Sequence, residues 1–157
     1  MEAELNNFDR IGCELIAESV RAGHEMRLRV NGSSMLPSIW PGDALTVRPL
    51  RDATASEGQV ILFTREGRLF AHRVVGRLEG ASSTQLITRG DAHDHCDPPV
   101  AASEILGTVA SISRGGREIP MASSATRRLL SFGIRHSDLI RRAALKIHSI
   151  RRRSWTD

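Results

Sequence analysis

The chain has 157 residues, 40% hydrophobic and 25% charged, which fits one globular domain with an appendage. Its two cysteines, Cys13 and Cys96, are too few for a disulfide framework or a four-cysteine zinc site, and no apolar run is long enough for a membrane-spanning helix. The net charge of +4 is unevenly placed: residues 123–157 hold nine basic and two acidic residues, while residues 1–122 carry an acidic excess, so the body of the chain has no electrostatic footprint for nucleic acid.

In chain order, residues 5–23 predict a helix, with Leu5, Phe8, Ile11, Gly12, Leu15 and Ile16 recurring at helical spacing and Gly23 as the stop. Glu2 and Glu4 stand where a signal peptide carries positive charge, and the apolar stretch of such a peptide is missing, which predicts a cytoplasmic location. From Met26 the pattern changes to short strands at residues 26–30, 44–47, 59–63, 69–75, 84–88 and 105–109, each β-branched or apolar and most bounded by Gly, Pro, Asp or Ser. Glu66-Gly67 between two of them predicts a hairpin turn. From about Ala125 the pattern is helical again: Ile140, Ala143, Ala144, Ile147 and Ile150 share a face, and the arginines and Lys146 lie elsewhere. The expected organisation is a helical segment at 1–25, a compact, mainly antiparallel β domain at 26–122, and a basic amphipathic helical tail at 123–157.

The segment Gly32-Ser33-Ser34-Met35-Leu36-Pro37 is the strongest candidate for chemistry. A serine nucleophile needs a base within hydrogen-bond reach, donors for the developing oxyanion, and usually a group that orients the base. Small residues before Ser34 predict a sharp backbone turn there, and Pro41-Gly42-Asp43 predicts a second turn into the next strand.

Ser34-Met35-Leu36-Pro37 followed by Gly42-Asp43 resembles the nucleophile box of signal peptidases, and is similar to that of the self-cleaving SOS repressors, which share the same catalytic fold. Gly58-Gln59-Val60-Ile61-Leu62-Phe63 and then Ala71-His72-Arg73-Val74-Val75-Gly76 resemble the strand pair that delivers the base. Thr88-Arg89-Gly90-Asp91, with Asp97 six positions on and Ile105 to Val109 after it, resembles the third conserved block. The resemblance covers residues 26–112 and implies a serine endopeptidase on a mainly β, signal-peptidase-like domain, acting on a protein or peptide without a cofactor.

Bacterial signal peptidases and the repressors use lysine as the base, but the single lysine here, Lys146, lies in the tail. His72, in the context His-Arg-Val-Val, resembles instead the archaeal and endoplasmic-reticulum signal peptidases. Histidine serves without the desolvation that a lysine base requires. The resemblance makes Asp97 the expected orienting acid, with Asp91 and Asp94 as alternatives; Asp91 is expected to hold its loop through backbone hydrogen bonds. Gly32 stands where many bacterial signal peptidases have a serine that helps bind the oxyanion, so the Ser34 N–H is the expected donor and Ser33 a weaker candidate.

The loop from Asp91 to Asp97 also contains His93, His95 and Cys96, but adjacent ligands on one loop rarely complete a tetrahedral site, so a polar active-site loop is the preferred reading and no metal is expected. The tail reads either as a basic helix lying on an anionic membrane surface, or as a helix packed on the β domain, or as a disordered end. Three functions follow: cleavage of a precursor peptide, self-cleavage as in the repressors (Ala22-Gly23 resembles the bond they cut), or binding by a catalytically silent form of the fold.

Overall fold

The computed structural model describes residues 2–50, 55–80 and 83–119, with the side chains of residues 2–9 left aside. The predicted helical tail lies outside the described residues. Helix α1 (Glu2–Arg21) is followed by β1 (Met26–Arg29), β2 (Ala44–Pro49), β3 (Val60–Arg65), β4 (Arg68–Glu79), β5 (Thr84–Arg89), a single 3-10 turn at Ala102–Glu104, β6 (Ile105–Arg114) and β7 (Arg117–Ile119). The strands form one antiparallel sheet in the order β1-β2-β6-β3-β4-β5, with β7 paired to β6. A mainly β fold with one N-terminal helix is what the sequence predicts.

β3 is the central element. Val60 and Leu62 point into one apolar cluster and Ile61 and Phe63 into another, so both faces are buried and the strand reads as a continuous apolar run. The first cluster joins Met35, Ile39, Leu45, Val47, Val109 and Ile112 to Ala17 and Val20 of α1; the second joins Ala55, Val74, Leu86 and Val100. The helix does not seat itself as the periodicity predicts. Ile16, Ala17 and Val20 face the sheet, whereas Ile11 and Leu15 are 45% and 61% exposed. The packed seam is the one that carries Ile16, Ala17 and Val20.

Glu66 and Gly67 both have positive φ, at 53° and 70°, as a two-residue hairpin with the twist of its strands requires. Gly115-Gly116 carries the equivalent signal, and φ values of 56° and 80° there turn β6 into β7.

Two irregularities position the site. β5 pairs with β4 only from Arg73 onward, which leaves the second edge of residues 68–72 open among the described strands. Among the described strands β1 pairs only with β2, so the chain running from Arg29 towards Ser34 also has an open edge there.

Candidate active site

Ser34 sits on a loop fixed from below and from both sides. Met35, Leu36 and Ile39 are buried at 3%, 0% and 1% exposure and anchor the segment in the core. Asp43 is fully buried; its carboxylate accepts hydrogen bonds from the Trp40 N–H at 2.8 Å and from the Arg114 guanidinium at 2.7 Å through each oxygen. The Arg114 cation in turn lies 5.7 Å from the Trp40 ring centre. From the far side, the Ala92 N–H donates to the Ser34 carbonyl at 2.9 Å.

His72 lies on β4 opposite Ile61 of β3 and is 4% exposed. Phe63 and Phe70 meet its ring edge-on, with centres 6.0 Å away in each case, so aromatic packing fixes the ring plane. The Nδ1 atom is 2.7 Å from Asp97 Oδ2, and Nε2 is 3.0 Å from Ser34 Oγ. An ionised carboxylate only accepts hydrogen bonds, so the proton belongs on Nδ1 and Nε2 is left to accept from the Ser34 hydroxyl. The same Asp97 oxygen accepts the Thr88 hydroxyl at 2.6 Å, and the Asp97 N–H donates to the Thr88 carbonyl at 2.8 Å. This Ser–His–Asp chain is the arrangement on which the functional assignment turns.

The sequence matches the model of the Peptidase S24-like family over residues 2–110. The chain belongs to the Peptidase S24-like family. A search of the curated proteins returned no match. Membership accounts for the antiparallel β fold and supports either serine-peptidase activity or the repressor type of self-cleavage, without separating the two.

Within this Peptidase S24-like site the three loop aspartates take different partners. Asp97 reaches His72, whereas exposed Asp94 engages its neighbour His95 at 2.8 Å. Asp91 is buried and accepts Arg73 through both oxygens, Nε at 2.9 Å and a terminal nitrogen at 2.7 Å, together with the Ser38 hydroxyl at 2.5 Å. Asp91 thus ties its loop to β4 and to the nucleophile loop through side-chain partners. Sequence reasoning missed the roles of Arg73 and Thr88; an arginine directly beside the candidate base, ahead of Val74-Val75, is the available signal for Arg73.

The role of Gly90 is likewise not readable from the motif. A Cβ there would stand 2.7 Å from the Ser34 carbonyl oxygen and 3.2 Å from its Cβ, so only glycine lets this loop back onto the nucleophile. Gly32, by contrast, has no positive φ, and a Cβ there would meet nothing within 4 Å. The expected sharp turn is present at Ser34, closed by the Leu36 N–H on the Ser33 carbonyl, and the missing side chain of Gly32 widens the groove that it lines. Among the described residues nothing accepts a hydrogen bond from the Ser34 N–H, which leaves it available to an oxyanion. Ser33 accepts the Leu36 N–H through its carbonyl at 3.3 Å and does not line the groove.

The His93 and His95 rings stack with centres 5.4 Å apart, and the edge of His93 meets His72 at 5.7 Å. Among the described residues no three His, Cys, Asp or Glu side chains are grouped to hold a metal ion.

Burial pushes the Asp97 carboxyl up, but the hydrogen bonds from His72 and Thr88 outweigh it and hold the group below the ordinary carboxylate value. A depressed folded value means that Asp97 contributes stability fully above its unfolded value, and loses that contribution as pH falls through the folded one. Urea unfolding of wild type and Asp97→Asn across a pH series is therefore expected to show a stability gap that is constant near neutrality and closes on the acid side. A gap that widens on acidification would contradict this linkage.

Proposed function

We propose that this protein is a serine endopeptidase that cleaves a separate protein or peptide precursor, with Ser34 as nucleophile, His72 as general base and Asp97 as its orienting acid. The observation that carries the reading is the unbroken hydrogen-bonded chain from Asp97 through His72 to Ser34, with 2.7 Å and 3.0 Å links. Nε2 takes the hydroxyl proton as Ser34 Oγ attacks the scissile carbonyl, and the Ser34 N–H stabilises the oxyanion. The protonated imidazole then passes its proton to the leaving amine. Water, deprotonated by the same nitrogen, hydrolyses the acyl-enzyme and restores the serine. The open edges of residues 29–32 and 68–71 bound a groove of about 850 Å³ that reaches Ser34 and suits a substrate in extended form.

Self-cleavage at Ala22-Gly23 is disfavoured by the local structure. The Ala22 N–H donates to Glu18 at 2.8 Å and the Gly23 N–H to Val20 at 2.9 Å, so this bond closes the end of α1 and does not line the groove. Fully buried Val20 would have to leave the core before it could reach Ser34.

No described helix is long and apolar enough to cross a membrane. The basic residues at 123–157 favour peripheral contact with an anionic membrane over contact with nucleic acid, since no tyrosine is present to interleave with the arginines.

A serine-reactive phosphonate, followed by mass spectrometry, tests the nucleophile. Wild type is expected to carry one adduct, on Ser34, and to remain a full-length chain on prolonged incubation. An adduct that persists in Ser34→Ala sinks the assignment; cleavage at Ala22-Gly23 would favour the self-cleaving alternative.

A further inference from the structure

The groove has a basic lining for which peptide hydrolysis itself gives no reason. Three arginines, Arg10, Arg29 and Arg68, line it with a single carboxylate, Glu66. All four side chains are exposed. Arg10 of α1 lies across the β3–β4 turn, where a Cβ on Gly67 would come within 2.7 Å of its Cγ, so helix and turn close the groove together. Arg68 leads β4 towards His72, and Arg29 ends β1 on the path to Ser34.

These guanidinium groups are not committed elsewhere as the framework arginines are. Arg73 and Arg114 bind buried carboxylates, and Arg65 clasps Glu104 with two hydrogen bonds of 2.8 and 2.9 Å. Arg29 and Arg68 form no ion pair among the described residues. Arg10 has only a 3.9 Å contact with Glu14, both side chains being 61% exposed, which leaves its charge largely uncompensated.

Geometry sets where the matching charge must lie. Arg68 precedes His72 by four strand positions, about 13 Å at roughly 3.3 Å per residue. An extended peptide beside that edge advances at the same rate, so a side chain three to five residues from the scissile bond reaches the arginines.

We propose, resting on the peptidase reading, that the groove selects acidic peptides, with Arg10, Arg29 and Arg68 receiving Asp or Glu three to five residues from the cleaved bond. Each exposed pair contributes little, and two or three acting together give about a tenfold preference at low salt. That preference shrinks as salt screens it.

The test separates binding from catalysis. Ser34→Ala is titrated with fluorescein-labelled alanine-rich decapeptides that carry paired Asp, Asn or Lys residues, with fluorescence anisotropy as the readout. The expected result is about tenfold tighter binding of the Asp peptide than of its Asn counterpart, with most of the difference gone at about 0.5 M salt. Adding Arg29→Glu and Arg68→Glu is expected to transfer the preference to the Lys peptide, with circular dichroism and thermal melting verifying the fold. Equal affinities, no detectable binding, or an Asp preference unchanged by the charge reversals overturns the proposal. Phosphonate labelling of wild type is measured alongside. Acid preference without Ser34 labelling removes the peptidase reading alone; labelling without acid preference removes only this inference.

Discussion

Replacing Ser34 or His72 with alanine is expected to lower kcat/KM for peptide cleavage about ten-thousand-fold or more, which corresponds to roughly 5 kcal/mol of transition-state stabilisation. The double variant is expected to be no worse than either single one. Non-additivity follows from the geometry: every proton that His72 Nε2 moves belongs to the acyl-enzyme route that begins at Ser34 Oγ, 3.0 Å away, so a base without its nucleophile does nothing. Asp97→Asn is expected to cost about a hundredfold or more. An amide donor facing Nδ1 would force the imidazole proton onto Nε2, and a protonated Nε2 cannot take the serine proton. In all three variants KM should move much less than kcat, because these side chains act on the reacting atoms and not on the length of the groove. A His72→Ala enzyme within tenfold of wild type would mean that some other group serves as base.

The parts of this site that are legible in sequence are those encoded in short range. Ser34-Met35-Leu36-Pro37 couples a nucleophile to its buried anchors within four positions, and His72 lies inside a strand whose neighbours declare its type. Asp97 could be placed only because it follows the Gly90-Asp91 pair at a fixed interval; its hydrogen bonds to His72 and Thr88 come from loop closure over 25 and nine positions. The supporting contacts were not legible for the same reason. Whether Arg73 pairs with Asp91, Asp94 or Asp97 depends on the register of β4 against β5 and on the loop beyond it, which alternation alone does not specify. The helix shows the other limit. Periodicity identifies α1, yet Ile11 and Leu15 turn to solvent while Ala17 and Val20 are buried, so the count of apolar residues on a face does not by itself choose the face that packs.

The largest stability effect is expected at Asp91. Asp91→Ala would strand Arg73, 5% exposed, with only the Gly58 carbonyl at 2.6 Å and a long 3.4 Å contact to Ser38 among the described residues. Breaking a buried pair by removing one partner costs about 3–5 kcal/mol, because the remaining charge is left uncompensated. For a chain of this size that is a fall in Tm of roughly 10 °C or more. Replacing both partners with apolar residues of similar volume, Arg73→Met with Asp91→Leu, is expected to recover most of the loss, since desolvation offsets much of what the ion pair contributes. Activity should not recover with it. Asp91 also accepts the Ser38 hydroxyl, and it sits between Gly90, packed on Ser34, and Ala92, which binds the Ser34 carbonyl. The apolar pair can restore packing at that point but cannot hold Ser38, so the loop that aims Ser34 at His72 is left freer. A double variant with native Tm and depressed kcat would locate the value of this ion pair in positioning the nucleophile. Native Tm with native kcat would assign it to neither, and a loss of under about 1 kcal/mol in Asp91→Ala alone would mean that water reaches the Arg73 guanidinium.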